Sequence, residues 1–315
     1  MTALPTGRPA AAAPTLSSVP PRGRFVDSTS LLTVPSHGRF ADSAPRPLPG
    51  VVEVWRIPLS GRAADAALAS AGQLLGADEL ARARRLVLRE DRRRWVTARV
   101  ALRTLLARRT GVAPDRITLE YGRHGKPRLF GQGADGLRFS LSHSRDRALL
   151  AVCRGAPVGA DLEHLSAGPA DAADLDDLAV AVLAPEELRA YLRLPPALRR
   201  AALLRRWTGK EAALKATGRG VTLPGARRLV VPDGSGTPRG LPGDWTQLRP
   251  WPGDGFTAAV TVRGRNWKLV CTDFTSTAAE DDPASEEHAA AAEDTASPSR
   301  AALAAHPAPE GRLAP

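Results

Sequence analysis

In the stretch PVGADLEHL (157–165), Asp161 and Glu163 stand two residues apart. In a β-strand, side chains at i and i+2 leave the same face, so the pair presents two carboxylates together while Leu162 turns the other way. Hard oxygen donors paired in this way form half of a divalent-cation site, and they suit Mg²⁺, which keeps several waters and is held by a few carboxylates plus substrate phosphates. The same pair at a solvated strand end would bind nothing. In RRWTGKEAALKATGRG (205–220), Trp207, Glu211, Leu214 and Lys215 fall at i, i+4, i+7 and i+8, so a carboxylate and an ammonium share the helix stripe expected to face the core. Glu four residues before Lys is also the favourable order for an exposed ion pair worth only about 0.2–0.5 kcal/mol. Glu211 is the third carboxylate that would complete a metal site with Asp161 and Glu163.

The lysines add weight to these stretches. Of 44 basic residues only Lys126, Lys210, Lys215 and Lys268 are lysine, and three of the four lie in GKP (125–127) and WTGKEAALK (207–215). A chain that otherwise uses arginine wants a compact ammonium there rather than a planar guanidinium.

The elements that must hold these residues follow from periodicity. VVEVWRIPL (51–59) alternates and reads as an opening strand. A helical region covers about 76–110, broken near Arg89–Asp91 and closed by Gly111. Strands are expected at 116–122, 137–144, 147–153 and 157–163. A second helical region spans about 184–217, with Pro185 in its first turn and Gly218 as its stop. RRLVV (227–231), FTAAVTVR (256–263) and NWKLVCTD (266–273) read as strands, the last two joined by the turn RGRN (263–266). Strand, helices, strands thus occurs twice, which implies an α+β fold of two similar halves, 49–155 and 156–275, with a ligand groove between them. Residues 1–48 and 276–315 are Pro/Ala-rich extensions expected to be disordered, and the acidic insert 166–178 has no assigned role.

The motifs in this order resemble the phosphopantetheinyl transferase superfamily, in particular its monomeric surfactin-synthetase-activating type. Gly159-Ala160-Asp161-Leu162-Glu163 meets the family's Gly-x-Asp-x-Glu, and Trp207-Thr208-Gly209-Lys210-Glu211 through Lys215 meets its Trp-Ser/Thr-x-Lys-Glu-x-x-x-Lys. The likeness spans roughly 51–275 and implies two pseudo-twofold-related α+β halves with the active site at their interface. It implies Mg²⁺-dependent transfer of phosphopantetheine from coenzyme A to a serine of acyl or peptidyl carrier proteins of fatty acid, polyketide or nonribosomal peptide synthesis. Asp161, Glu163 and Glu211 would hold the metal. Lys126 and Pro127 would lie along the nucleotide end, Ser142 and His143 at the phosphates, and Arg82 and Arg85 near the ribose phosphate. Glu211 would act as base, and Lys215 would stabilise or protonate the leaving phosphate. Trp207 would anchor the helix, Lys210 would support ligand or partner contacts, and Thr208 would cap the helix start. Gly209 would weaken the first turn by up to about 1 kcal/mol. Ala160 departs from the larger aliphatic residue usual at its position. His124 and His164 are read as structural.

Composition bounds the alternatives. With no long apolar run and no signal pattern, a cytoplasmic enzyme without a membrane span is the expectation. Cys153 and Cys271, far apart in strand-like runs, read as buried free thiols. Residues 276–315 hold eight acidic and two basic residues, so the net charge of +11 leaves 1–275 at +17, a field that attracts anionic partners such as an acidic carrier protein. A nucleic-acid-binding module would share that field, but aromatics are only 4% and no recognised motif supports it, so no nucleic acid is expected. GRHGKP (122–127) lacks P-loop spacing, and no Gly-x-Ser-x-Gly elbow appears. A non-catalytic homologue that binds carrier proteins is the remaining alternative.

Overall fold

A computed structural model of the chain describes residues 50–166 and 172–274; the extensions 1–48 and 276–315, and part of the acidic insert, lie outside the described residues. The fold is α+β. A four-stranded sheet contains β1 (Val51–Pro58), β4 (Leu137–Ser144), β5 (Arg147–Arg154) and β9 (Lys268–Asp273) in the order β4-β5-β1-β9. A three-stranded antiparallel sheet contains β6 (Val158–His164), β8 (Phe256–Arg263) and β7 (Trp245–Leu248) in the order β6-β8-β7. A small hairpin pairs β2 (Thr118–Tyr121) with β3 (Pro127–Phe130).

Pleating sorts the core. On one face of the larger sheet Trp55, Ile57, Phe139 and Leu150 pack with Leu102, Leu105 and Leu106 of α3 (Arg89–Thr110). The opposite face, with Val52, Val54, Leu149 and Ala151, meets Ala160, Leu162, Val260 and Val262 of the smaller sheet. The outer face of that smaller sheet is covered by α6 (Pro196–Thr217), which packs on β6 and β8. The result is helix, sheet, sheet, helix. Both long helices end on a glycine in the left-handed region, Gly111 at φ 70 and Gly218 at φ 69, as the sequence leads one to expect. Pro185 opens α5 (Pro185–Leu192) at its first turn, and both cysteines are buried and free.

Several boundaries differ from the periodicity reading. The first helical region breaks at Leu86–Leu88, between α2 (Ala77–Arg85) and α3, because Glu90 and Asp91 favour the positive N-terminal end of a helix and start one there. An additional helix, α1 (Gly61–Leu74), buries Ala64, Ala67 and Ala71, residues too small to give a hydrophobic signal. The second region divides at Arg193–Pro195 into α5 and α6. Part of the acidic insert belongs to α4 (Ala172–Val182), which buries Leu175, Ala179 and Val182. RRLVV forms no strand: α7 (Leu223–Arg227) takes its start, and Val230 makes a lone bridge to Arg239. β9 does not hairpin with β8 but crosses to pair in parallel with β1, Val54 opposite Cys271. Among the described residues no helix is long and apolar enough to cross a membrane.

Candidate active site

One residue sets the distance at which β6 passes α6. A Cβ on Gly159 would lie 2.1 Å from the Ala212 carbonyl oxygen and 2.3 Å from the Ala216 nitrogen, so only glycine lets strand and helix backbones touch. On the helix side, Ala212, Ala213 and Ala216 are buried and keep the gap narrow. Two residues along the same strand face, Asp161 is buried at 1% exposure beneath the helix. Its Oδ1 accepts from Lys215 Nζ at 2.5 Å and from Ser142 Oγ at 2.9 Å. Lys215 Nζ also lies 3.0 Å from Glu211 Oε2, the i,i+4 geometry of one helix face, and donates to Ser142 Oγ at 3.3 Å. Glu163, next along the strand face, accepts from Ser144 Oγ at 3.0 Å.

The neighbouring strand β4 aligns these groups. Among the described residues β6 has a strand partner on one side only, so the alternate backbone groups of its other edge need partners. Ser140 Oγ accepts the Ala160 N–H at 3.0 Å and Ser144 Oγ accepts the His164 N–H at 3.1 Å. Three serines at i, i+2 and i+4 of one strand therefore fasten the carboxylate strand: Ser140 by its backbone, Ser142 by the Asp161 carboxylate and Ser144 by both backbone and the Glu163 carboxylate. Ser140 and Ser144 were missed from sequence, although the alternation in FSLSHS is its signal. His143, between Ser142 and Ser144, is exposed on the opposite face of β4.

Three acids and one ammonium leave negative charge in excess. Burial, and then the Asp161 charge, push the Glu163 carboxyl up to about 7, with Glu211 adding to the effect and Ser144 and Lys215 opposing it. Glu211 is likewise pushed up to about 7 by burial and by Asp161, against the pull of Lys215. For Lys215, burial favours the neutral amine, but Asp161 and Glu211 together outweigh it and raise the ammonium above its ordinary range.

The donor set suits a hard divalent cation. Asp161 Oδ2 is buried and has no hydrogen-bond partner among the described residues, an orphan that oxygen-seeking metals satisfy. Among the described residues no three ligating side chains already close around one point. Lys215 instead bridges Asp161 and Glu211.

The other predicted residues are placed as follows. Lys126 Nζ donates to the carbonyls of Val158 and Lys215, both at 2.8 Å, and of Ala216 at 3.4 Å. Burial pushes its ammonium down to about 8. Beside it opens a cavity of about 250 Å³ lined by His124, Lys126, Pro127, Phe139, Pro157 and Thr217. Arg82 and Arg85 lie exposed on α2, which packs on α3; the Arg82 guanidinium sits 5.9 Å from the Trp95 ring centre. His164 meets its structural reading, edge-on to Phe256 at 4.8 Å with Nδ1 2.7 Å from Ser166 Oγ.

Three expectations need correction. Lys210 does not reach toward a ligand or partner. It is fully buried and donates to the carbonyls of Ala226 and Leu229 and to Glu187 Oε2 at 2.6 Å, tying α6 to α5 and α7. Thr208 caps no helix start, because α6 begins at Pro196; Thr208 Oγ1 donates to the Arg205 carbonyl and accepts from Arg249 Nη1 at 2.9 Å. Gly209 is therefore mid-helix, where a Cβ would stand 2.8 Å from Gln247 Oε1 and 2.9 Å from Arg249 Nη2, so its small size serves packing.

Comparison with known proteins covers the same elements. Residues 157–253 match the model of the 4'-phosphopantetheinyl transferase superfamily, and 62–154 match that of the 4'-phosphopantetheinyl transferase N-terminal region. The chain is 37% identical to the 4'-phosphopantetheinyl transferase HetI of Nostoc sp. over 219 residues, 69% of this chain and 90% of that protein. It is 26% identical to a Bacillus subtilis 4'-phosphopantetheinyl transferase over 167 residues, 53% of this chain and 69% of that one. The first match holds β6 and α6, the second β4 with its serines, and the long alignment with the Nostoc protein runs at an identity that descent explains. The chain is an enzyme of the 4'-phosphopantetheinyl transferase superfamily.

Proposed function

We propose that the protein transfers 4'-phosphopantetheine from coenzyme A to a serine hydroxyl of an acyl or peptidyl carrier protein, with Mg²⁺ at the acid cluster. The observation that carries the reading is the gathering of Asp161, Glu163 and Glu211 around Lys215 with one buried carboxylate oxygen unpartnered. Asp161, Glu163 and Glu211 would hold the metal, whose contribution when bound is to neutralise charge on diphosphate oxygens. In the reaction, the serine oxygen bonds to the phosphorus bearing the pantetheine arm and the bond from that phosphorus to the bridging oxygen breaks. Glu211 takes the hydroxyl proton. The bridging oxygen leaves with its electrons as part of adenosine bisphosphate, and its charge is met by the Lys215 ammonium. Because Asp161 and Glu211 hold Lys215 protonated, it serves as a fixed charge rather than a proton donor.

The partner brings the nucleophile, so the catalyst's task is positioning and charge. Ser142 and His143 are assigned to the phosphates. Pro127 and the stem of Lys126 are assigned to the nucleotide end, where the cavity lies, and Arg82 and Arg85 to the ribose phosphate. A cytoplasmic monomer acting on acidic carrier surfaces completes the reading; buried free thiols and the basic charge balance support it. The test is mass spectrometry of an apo carrier protein incubated with the enzyme, coenzyme A and Mg²⁺. Addition of the phosphopantetheine arm is expected, and its absence on acyl and peptidyl carriers alike would refute the proposal.

A further inference from the structure

We propose that Lys126 is a positioning residue whose ammonium clasps the crossing of β6 and α6 and so fixes Lys215 against Asp161; this rests on the transferase reading above. The β2–β3 hairpin delivers it. Gly125, at φ 73, and the bonds Gly125 N to Gly122 O (2.8 Å) and Gly122 N to Lys126 O (2.9 Å) make a tight turn, and Pro127 opposite Tyr121 starts the return strand. From that tip the ammonium reaches three carbonyls on two elements. Val158 O belongs to β6 on the edge that lacks a strand partner, one residue before Gly159. The Lys215 and Ala216 carbonyls belong to the last turn of α6 and carry the negative end of the helix dipole; the Lys215 carbonyl also accepts the N–H of the capping Gly218 at 3.2 Å, and Lys126 takes a second lone pair.

Three acceptors converging on one point suit the three donors of an ammonium and not the flat fork of a guanidinium, in a chain where 40 of 44 basic residues are arginine. The clasp meets β6 and α6 where Gly159 brings their backbones into contact, so it locks the same crossing from the side. One of its acceptors is the backbone of Lys215 itself. Displacement of that turn would move the Lys215 side chain relative to Asp161 and Glu211 without touching either acid. The ammonium of Lys126, a residue that lines the cavity, is thus committed to protein carbonyls.

The experiment compares the full-length wild type with Lys126→Met and Lys126→Arg, by initial rates over coenzyme A and by NMR of ¹⁵N-labelled lysine side chains, of which there are only four. In Lys126→Met, kcat should fall about 10- to 100-fold with KM for coenzyme A within about threefold of wild type, and the Lys215 signal should shift. Lys126→Arg should not restore kcat, and it carries the test if the methionine variant fails to fold. A rise in KM for coenzyme A of about tenfold or more with kcat unchanged and the Lys215 signal unmoved would make Lys126 a ligand contact and overturn the proposal. Full activity of Lys126→Arg would overturn it as well. If the wild type transfers nothing, the transferase reading fails by itself, while the Lys215 signal still decides whether Lys126 fixes that side chain.

Discussion

An ammonium makes three hydrogen bonds from a single point, and three of the four lysines use it so. Lys126 gathers three carbonyls, Lys210 two carbonyls and Glu187, and Lys215 two carboxylates and a serine. Lys210→Met would leave Glu187 buried with only Arg206, 3.5 Å away, to balance it, so stability should drop by about 3–5 kcal/mol in urea unfolding. Glu211→Gln keeps the shape and removes the proposed base; its turnover should fall by about 10²-fold or more with an unchanged circular dichroism spectrum. Lys215→Arg keeps the charge, yet the guanidinium cannot sit between Asp161 and Glu211 as a point, so kcat should fall about tenfold or more. Lys126 also leaves a pH signature. Its native ammonium loses its proton near 8, the unfolded one near 10.5, so between those values the unfolded chain binds more protons and stability rises with pH. Denaturation of wild type against Lys126→Met from pH 7 to 10.5 should show a steeper rise in the wild type, because groups such as Lys210 titrate in both; parallel curves would refute it. The sequence pointed to Glu211 and Lys215 correctly as partners on one stripe. It could not place Lys210, because spacing says which face a side chain takes and not whether a fold partner such as Glu187 waits there.

Elements bring the acids together by close approach. Gly159→Ala would put its Cβ 2.1 Å from the Ala212 carbonyl oxygen, a backbone atom that cannot yield, and force β6 off α6, so it should destabilise by about 1–3 kcal/mol and, by parting Asp161 from Lys215, lower kcat as well. A variant with wild-type kcat would show that the crossing does not set the site. The elements holding the acids were legible because Val158, Ala160 and Leu162 alternate along β6 and Trp207 and Leu214 mark the inward stripe of α6. α1 was not, since a stripe of alanines carries little hydrophobic signal. β7 and β3 were not, because each is four residues long and is held by its neighbours. The serine ladder of β4 hides for a different reason: serine marks turns as readily as edges, and only the tertiary approach of β6, with its edge N–H groups and its carboxylates, gives these three their partners.

At the scale of the molecule the parallel pairing of β9 with β1 joins the last strand to the first, a long-range choice that no local pattern encodes. Charge, by contrast, is additive and was readable at once. The body up to residue 275 carries +17, almost all from arginines that stay protonated at any working pH. An acidic carrier protein approaching such a surface is steered before contact, which speeds encounter more than it tightens the final complex. Salt shortens the reach of that field to about 10 Å at 0.1 M and about 3 Å at 1 M. The rate at low carrier concentration, kcat/KM for the carrier, should therefore fall steadily as NaCl rises, while kcat at saturating carrier holds, since Asp161, Glu211 and Lys215 interact across 2.5–3.0 Å, within the screening length. Stopped-flow transfer assays at several NaCl concentrations separate the two. If kcat fell and kcat/KM did not, the basic body would have no part in finding the partner, and the arginines would have to be explained otherwise.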